Sequence, residues 1–470
     1  MVFFAAAEWV EADFLLTSRK LAIDMGHLVK VKSRGLRALA LAFLILSSTV
    51  GSVCVADHAF RRHRFDVMRS LPVDSTDIVF YGNSITNMHE WWEAFGSDSR
   101  ILNRGASGAS SRELMKNLGS VIDGHPAKLF LMIGTNDISG GVPVDTVVGN
   151  IRRMAERVRR ESPSTRLYIQ SILPRHEQWK NDSNRLANER IERLCRQLGV
   201  TFVDLWQPLL GVREKGEWSA DGLHLFARGY REWCRAIAPL VGREPVYGDS
   251  MVNLPSGLPG SLGMRSSYFG MLPLRSTDAI IIGDEMVHGG EWHELLGTPR
   301  VKNRGTGWGY GGLTFDQHKA QLKTILTGNG NKELPSKIFF YCGTADKDLD
   351  AYGRLLEYAR GMAPGVPMFV MSLIPVNDPL ENAWIAAWND SLRQLCGRKD
   401  VTFIDLFHPL LDADGHTDTD CVKENYLYGK GYARVAEILA PYLREEGAKP
   451  LTEEEAARVV SRRLVPSFPK

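Results

Sequence analysis

The stretch DIVFYGNS at residues 77–84 decides the fold, because it returns as DAIIIGDE at residues 278–285. In each copy an acidic residue precedes four apolar residues, and a polar turn containing glycine follows them. Apolar runs of about four to eight residues between polar boundaries are typical of buried β-strands. Ser84 and Glu285 are 201 positions apart, so each copy opens a domain-sized repeat and not a short solenoid unit.

The repeat continues along the chain at nearly constant spacing. EW at 90–91 returns at 291–292, NRG at 103–105 returns at 303–305, GTND at 134–137 returns as GTAD at 343–346, and TFVDL at 201–205 returns as TFIDL at 402–406. The predicted organisation is an N-terminal extension with a signal peptide (1–56), a first repeat (57–245), a linker (246–266), a second repeat (267–445) and a tail (446–470).

Short apolar runs alternate with helical patterns in both repeats. The predicted strands are Ile78–Tyr81, Ile101–Leu102, Leu129–Ile133, Leu167–Ile172 and Thr201–Asp204, then Ala279–Gly283, Val301–Lys302, Ile338–Cys342, Met368–Ser372 and Thr402–Asp405. The predicted helices of the first repeat are Ile85–Phe95, Ser111–Ile122, Val144–Arg160, Ser183–Leu198 and Ala227–Val241. Alternation of this kind predicts an α/β fold with one five-stranded parallel sheet in each repeat and helices on both faces.

Composition excludes several classes of protein. The chain has 44% hydrophobic and 24% charged residues and a net charge of +2, which is ordinary for globular domains and gives no reason to expect a nucleic-acid partner. Five cysteines follow the predicted signal peptide, an odd number without CxxC spacing. This pattern predicts neither a disulfide framework nor a zinc site, and we expect no metal or cofactor.

The segment before the first repeat predicts export. Basic residues at 30–37 precede the apolar run 38–46, and small residues with Cys54-Val55-Ala56 follow, as in a secretory signal peptide. We expect a periplasmic or secreted protein. The alternative is an uncleaved membrane anchor, since residues 38–56 carry no charge. Acidic residues before Met25 suggest that translation begins there.

Four polar motifs follow the predicted strands of the first repeat, where open parallel sheets bind their ligands. Ser84 lies in the turn after the first strand, where we expect an exposed hydroxyl, and His224 is the candidate base that removes its proton. Asp221 precedes His224 by three residues and can orient the ring. The backbone N–H groups of Ser84 and Gly108 and the side-chain amide of Asn136 can stabilise an oxyanion. The combination predicts acyl transfer by a serine nucleophile.

These residues match a known family. Residues 74–245 resemble the SGNH hydrolases, also called GDSL esterases, whose four blocks correspond to Ser84, Gly108, Asn136 and His224, with Asp221 completing the triad. GNSIT at 82–86 and NRGASG at 103–108 are most similar to the branch of platelet-activating-factor acetylhydrolase-like proteins and bacterial sialate O-acetylesterases. The resemblance implies a three-layer α/β/α flavodoxin-like fold and hydrolysis of small acyl esters without a cofactor. Two departures are Asn83, where the family name has Asp, and Ala109, where this branch often has Asp.

The second repeat lacks the same chemistry. Glu285 replaces the nucleophile, Ala345 replaces Asn136, and the position of Gly108 falls near Trp308. Lys423 and Tyr426 stand opposite Asp221 and His224. We therefore predict a degenerate, non-catalytic SGNH-like domain. One alternative is a retained sugar-binding cleft with Trp308, Tyr310 and Tyr426 as stacking surfaces, and another is a structural partner that forms an intramolecular pseudo-dimer with the first repeat.

The predicted function is hydrolysis of small acyl esters, acetyl above all, on a carbohydrate, which rests on the resemblance and on export. The alternatives are a lipid or lysophospholipid esterase and a carbohydrate-binding protein with vestigial catalysis. The expected partner is a small-molecule or glycan ester, with no nucleic acid, and a membrane only through an uncleaved N-terminal segment. We also expect His89, Trp179 and Trp218 near substrate, and Trp91, Trp92 and Phe95 on one buried helical stripe.

Overall fold

The computed structural model describes residues 59–213, 216, 218–219, 221–247, 260–307, 312–328 and 332–443. The predicted signal peptide, residues 248–259 of the predicted linker, Trp308, Tyr310 and the predicted tail lie outside this range. Within it, no helix is long and apolar enough to cross a membrane.

The first repeat folds around one five-stranded sheet. Its strands are β1 (Ile78–Gly82), β2 (Ile101–Gly105), β3 (Lys128–Met132), β4 (Arg166–Gln170) and β5 (Thr201–Val203). All neighbours are parallel and the order is β2-β1-β3-β4-β5. Because β1 lies between β2 and β3 and is buried throughout, the turn after Gly82 emerges inside the carboxyl edge of the sheet and not at its end.

The second repeat repeats this topology. Its strands are β6 (Ala279–Gly283), β7 (Val301–Gly305), β8 (Lys337–Tyr341), β9 (Met368–Met371) and β10 (Thr402–Ile404), all parallel, in the order β7-β6-β8-β9-β10. An antiparallel hairpin of β11 (Val422–Lys423) and β12 (Tyr426–Leu427) follows. The predicted α/β fold with two five-stranded parallel sheets is confirmed.

Helices connect the strands. Those of the first repeat are α1 (59–70), α2 (Ser84–Asn87), α3 (Trp91–Ala94), α4 (Ser111–Asn117), α5 (Gly119–Ile122), α6 (Thr135–Ser139), α7 (Val144–Glu161), α8 (Gln178–Leu198) and α9 (Ala227–Val241). Those that follow are α10 (Gly260–Phe269), α11 (Glu285–Gly289), α12 (Trp292–Leu295), α13 (Phe315–Thr327), α14 (Leu349–Met362), α15 (Pro379–Lys399) and α16 (Gly429–Leu443). Residues 260–266, which composition predicts as linker, thus form part of α10.

The predicted continuous helix Ile85–Phe95 is wrong, because two four-residue helices, α2 and α3, replace it. The side-chain amide of Asn103 on β2 donates to the carbonyl oxygens of both Asn87 and His89, at 2.9 and 3.1 Å. In a continuous helix these carbonyl oxygens would accept from N–H groups four residues later. Here they accept from the Asn103 side chain on β2 instead, and α2 ends. Asn303 repeats this contact in the second repeat, on the carbonyl oxygen of Gly290 at 2.9 Å.

Buried ion pairs join the two repeats. Each arginine lies in one repeat, or on α10 in the case of Arg265, and its glutamate lies in the other repeat. The pairs are Arg64–Glu291, Arg265–Glu90, Arg104–Glu294 and Arg304–Glu93, with nitrogen–oxygen distances of 2.7–2.8 Å. The pairs are reciprocal, since each residue's counterpart in the other repeat makes the matching contact. One apolar core cluster also extends across both repeats. The repeats therefore form a single compact unit.

Candidate active site

The turn after β1 places Ser84 at the carboxyl edge of the first sheet. Gly82 ends the strand with no space for a side chain, because a Cβ there would lie 2.7 Å from the carbonyl oxygen of Met132. The side-chain oxygen of Asn83 then accepts from the Ile85 N–H at 3.1 Å and caps α2. Asn83 thus makes the same cap as Asp284 makes in the second repeat, so asparagine suffices for this turn.

The structure brings Ser84, His224 and Asp221 together in one hydrogen-bonded chain. The Ser84 hydroxyl lies 2.8 Å from Nε2 of His224, and Nδ1 of His224 lies 2.6 Å from Oδ2 of Asp221. An ionised carboxylate can only accept, so we assign the proton to Nδ1 and leave Nε2 to accept from the serine. Ser84 is only 2% exposed, so the expectation of an exposed hydroxyl is wrong.

Asp221 holds the ring from the surface of the protein. Its side chain is 48% exposed, yet Oδ1 also accepts from the backbone N–H groups of Leu223 and His224 at 2.9 and 2.8 Å. Burial acts to raise the pKa of Asp221, but these hydrogen bonds and the His224 ring outweigh it and hold the pKa well below its usual value. The carboxylate is therefore ionised at neutral pH and fixes the orientation of the ring.

The three predicted oxyanion donors are the N–H groups of Ser84 and Gly108 and the side-chain amide of Asn136. In the described part of the chain, neither the Ser84 N–H nor the Gly108 N–H donates to another protein group. Gly108 has φ +75°, in the left-handed region that favours glycine. The half-buried Asn136 donates through Nδ2 to the carbonyl oxygen of Ala109 at 3.0 Å, so one of its two amide hydrogens is already engaged. These two backbone N–H groups thus have no protein acceptor among the described residues.

We call residues 105–111 the oxyanion loop, and buried polar groups hold it. The Asp137 carboxylate accepts from the Ser111 backbone N–H at 2.9 Å and from its hydroxyl at 2.7 Å. Ser110 and Glu113 form a capping box at the start of α4. Asp137 follows Asn136 in the GTND motif after β3. This strand end therefore supplies Asn136 as a candidate oxyanion donor and Asp137 as the carboxylate that binds Ser111 of the loop.

Sequence reasoning missed Arg61, which lies nine-tenths buried on α1. A Cβ built on Gly108 would lie 2.5 Å from Nη1 of Arg61, and Nε of Arg61 donates to Oε1 of Glu113 at 2.8 Å. Arg61 precedes the first sequence block by more than twenty residues and belongs to no motif. Only the packing of α1 against the loop places it here.

The aromatic predictions had mixed outcomes. Trp91, Trp92 and Phe95 are buried as expected, although α3 is too short for one helical stripe. The expectation that His89 lines the pocket is wrong, because it is fully buried and its ring stacks on Tyr230.

The two loop tryptophans differ from each other. Trp218 packs against Gly211, where a Cβ would collide with its ring, and beneath the guanidinium of Arg228. Trp179 is 62% exposed. Of the two, only Trp179 therefore presents most of its ring to solvent.

The equivalent site in the second repeat has different contacts. Glu285 opens α11 as Ser84 opens α2, and the Tyr426 hydroxyl donates to Oε2 of Glu285 at 3.3 Å. The alignment of Tyr426 with His224 thus agrees with the contact that each residue makes. Asp284 is buried and accepts from the Thr344 hydroxyl at 2.6 Å, and burial raises its pKa to about 6. Neither the pair Glu285–Tyr426 nor the pair Asp284–Thr344 resembles the serine–histidine pair of the first repeat.

One cluster of described residues has metal-ligand chemistry, namely Glu291, His293 and Glu294. It lies at the contact between the repeats. Both carboxylates already bind guanidinium groups, Glu291 that of Arg64 and Glu294 that of Arg104, at 2.8 and 2.7 Å. Two cations thus neutralise these oxygens, and the residues do not fit a metal ion.

Comparison with known proteins finds a family that is similar to the first repeat. Residues 75–232 match the model of the GDSL-like Lipase/Acylhydrolase family, and this range contains all five predicted site residues. Over these residues the first repeat is similar to the GDSL-like Lipase/Acylhydrolase family.

Individual proteins that are similar to this chain share less than a third of the aligned residues with it. The chain is 29% identical over 179 residues to platelet-activating factor acetylhydrolase IB subunit alpha1 of Rattus norvegicus, covering 36% of this chain and 75% of that protein. It is 24% identical over 189 residues to the GDSL esterase/lipase WDL1 of Oryza sativa subsp. japonica, covering 32% and 72%. The crystal structure of a GDSL-like lipase from Bacteroides thetaiotaomicron aligns with a TM-score of 0.32 and 27% identity, covering 36% of this chain and 88% of that one.

Proposed function

We propose that this chain is an exported serine esterase that hydrolyses small acyl esters, with acetyl on carbohydrate as its substrate class. The observation that carries the proposal is the hydrogen-bonded chain from Ser84 through His224 to Asp221, with the N–H groups of Ser84 and Gly108 lacking a protein acceptor among the described residues. This arrangement supplies a nucleophile, a base, an orienting carboxylate and oxyanion donors.

The reaction proceeds in two halves. Nε2 of His224 takes the hydroxyl proton as the Ser84 oxygen attacks the ester carbonyl, and the negative charge on the carbonyl oxygen is stabilised by the N–H groups of Ser84 and Gly108 and by Asn136. The imidazolium returns the proton to the departing alcohol, leaving an acyl-serine. A water molecule then gives a proton to His224 as its oxygen attacks the acyl carbon, and the imidazolium returns that proton to the Ser84 oxygen as the acid leaves.

Two lines support acetyl as the acyl group. The rat relative is named an acetylhydrolase, and the segments GNSIT and NRGASG resemble those of acetylesterases. Carbohydrate as the alcohol component rests on the resemblance and on the predicted export. A lipid or lysophospholipid esterase is the second candidate, because the rat relative is named for a lipid substrate.

We also propose that the second repeat does not catalyse hydrolysis. Glu285 and Ala345 stand in place of the serine and the asparagine, and Tyr426 stands in place of the base. A carbohydrate-binding role for the whole protein, with vestigial catalysis, is the non-enzymatic alternative.

The deciding experiment measures hydrolysis of aryl esters of rising acyl length by purified protein from residue 57 onward, with Ser84→Ala as control. Activity that falls steeply beyond acetyl, and that Ser84→Ala removes while the thermal midpoint stays nearly unchanged, supports a deacetylase. O-acetylated sugars would then be tested directly. Activity that peaks at long chains supports the lipid esterase, and no Ser84-dependent turnover on any ester supports the binding protein.

A further inference from the structure

Helix α1 lies between the oxyanion loop of the first repeat and a hairpin of the second repeat. Its side chains divide between the two repeats. Arg61 and Phe65 pack toward the first repeat, and Arg62, His63 and Asp66 contact the second. Helix α1 therefore contacts both repeats at once, so a change at one contact can displace the other.

Toward the first repeat, α1 holds both ends of the oxyanion loop. Arg64 donates from Nε and Nη2 to the carbonyl oxygen of Gly105, at 3.3 and 3.2 Å, where the loop begins. Arg61 reaches Glu113 just beyond its end and lies close over Gly108 in between. Apolar residues complete the contact, and they are Phe65 and Met68 of the helix with Ala106, Ala109 and Leu114.

Toward the second repeat, α1 docks on hairpin β11–β12 and the start of α16. Nδ1 of His63 lies 3.1 Å from the carbonyl oxygen of Leu427, and its ring stacks on Tyr426 with centroids 5.2 Å apart. Asp66 accepts from the Gly429 N–H at 2.8 Å. These groups are largely buried, so the docking is specific in geometry and shielded from solvent.

The hairpin occupies the place of the segment that carries the base in the first repeat, since Lys423 and Tyr426 align with Asp221 and His224. Its two turn residues, Glu424 and Asn425, have φ +53° and +66°, as in a tight two-residue hairpin. Glu424 also binds Arg62 of α1, with Oε2 at 3.0 Å from Nε. The segment that would serve catalysis is thus a docking element.

We propose that the second repeat positions the oxyanion loop of the first repeat through helix α1, with Arg61 as a positioning residue and hairpin β11–β12 as the anchor. The proposal rests on the proposed function, because it assigns Gly108 to the oxyanion hole. The degenerate copy then contributes to turnover without touching the substrate.

The first test is kinetic and uses the full chain. Arg61→Leu removes the guanidinium over Gly108, and we expect kcat for an aryl acetate to fall by about 10- to 100-fold, with KM changed less than about threefold, since misplaced donors affect the transition state above all. Arg61→Lys, which keeps the cation, is expected to restore part of kcat. An unchanged kcat in Arg61→Leu overturns the positioning role of Arg61.

The second test does not depend on activity and measures hydrogen–deuterium exchange of peptides covering residues 105–111. His63→Ala weakens the anchor without touching the first repeat's loop, and we expect faster exchange there by about tenfold. Met264→Ala is the matched control, because Met264 is the buried equivalent of His63 on α10 and belongs to a different apolar cluster from Ala106 and Ala109 of the loop. It should leave exchange of the loop unchanged.

The outcomes separate the two proposals. Equal loop exchange in His63→Ala and wild type overturns the inference, whatever the activity. Absence of Ser84-dependent turnover in wild type, with loop exchange that still responds to His63→Ala, rejects the esterase and retains the structural coupling. Should His63→Ala fail to fold, Glu424→Arg, which sets a second cation against Arg62 on the exposed side of the contact, replaces it.

Discussion

Trp92 stacks on His293 across the contact between the repeats, with ring centroids 4.3 Å apart and planes 16° from parallel. The two residues are repeat equivalents, 201 positions apart. Contact between a residue and its own equivalent occurs at a local two-fold axis, as in an isologous dimer. We interpret the reciprocal pairs Arg104–Glu294 and Arg304–Glu93 in the same way, as a dimer interface contained in one chain.

The first prediction concerns this interface. Arg104 binds Glu294 through both terminal nitrogens, at 2.8 and 2.7 Å, and both side chains are buried. Arg104→Met leaves the carboxylate buried without its partner, so we expect the free energy of unfolding to fall by about 3–5 kcal/mol. Urea unfolding measures it. The double variant Arg104→Met/Glu294→Leu should recover most of the loss, and no recovery would show that the charge is not the cause.

The second prediction concerns pH. Burial raises the pKa of Glu291 to about 7, although Arg64 acts to lower it. An unfolded chain releases this proton near pH 4.3, at about the ordinary glutamate pKa. Between these values the folded state binds the extra proton, so the free energy of unfolding falls as pH rises.

The variant Glu291→Gln, which does not titrate, isolates that contribution. We expect the stability of wild type relative to the variant to decrease from about pH 5 to about pH 8, by on the order of 1 kcal/mol or more. Urea unfolding at each pH measures it. A relative stability that stays constant from about pH 5 to about pH 8 would mean that Arg64 keeps Glu291 ionised throughout.

The third prediction concerns Asp221. Asp221→Asn keeps the shape but presents an amide to Nδ1 of His224, which disturbs the tautomer that accepts from Ser84. We expect kcat to fall by about 10²- to 10⁴-fold with little change in thermal midpoint. Asp204→Asn is the control, because Asp204 is an exposed carboxylate that caps the Trp206 N–H at 2.7 Å. Comparable losses in both variants would argue against a specific role for Asp221.

The fourth prediction concerns Gly108. Gly108→Ala places a methyl group against Arg61 at φ +75°, so the loop must shift. We expect kcat to fall by about 10²- to 10³-fold, as for loss of one oxyanion donor. Gly199→Ala has similar backbone strain at φ +66° with nothing near its Cβ, and should lower stability without lowering kcat. Full activity in Gly108→Ala would remove Gly108 from the oxyanion hole.

The fifth prediction concerns the second repeat. Glu285→Ala removes the carboxylate at the position of Ser84, and we expect turnover of an aryl acetate to stay within about twofold of wild type. The measurement is kcat/KM with the thermal midpoint as a check on folding. A large loss in a folded variant would mean that Glu285 takes part in the reaction.

Much of the fold was predictable because local patterns carry it. Buried parallel strands read as apolar runs, and such runs mark every strand from β1 to β10 except β2 and β7, which contain Asn-Arg-Gly. The break between α2 and α3 was not predictable, because it depends on Asn103 from another strand. The prediction that His89 lies near substrate was wrong for the same reason, because its neighbours Tyr230 and Tyr247 come from distant segments of the chain.

The sequence by itself determined the repeat, the two parallel sheets and the residues that meet at the first sheet edge, because strand ends bring their motifs together once the topology is set. Only the tertiary structure decided the contacts between repeats, the place of Arg61 over Gly108 and the use of hairpin β11–β12 as a dock for α1. These contacts join residues far apart in the sequence, for example 52 positions for Arg61 and Glu113 and 362 positions for Arg62 and Glu424. No local periodicity encodes such proximity.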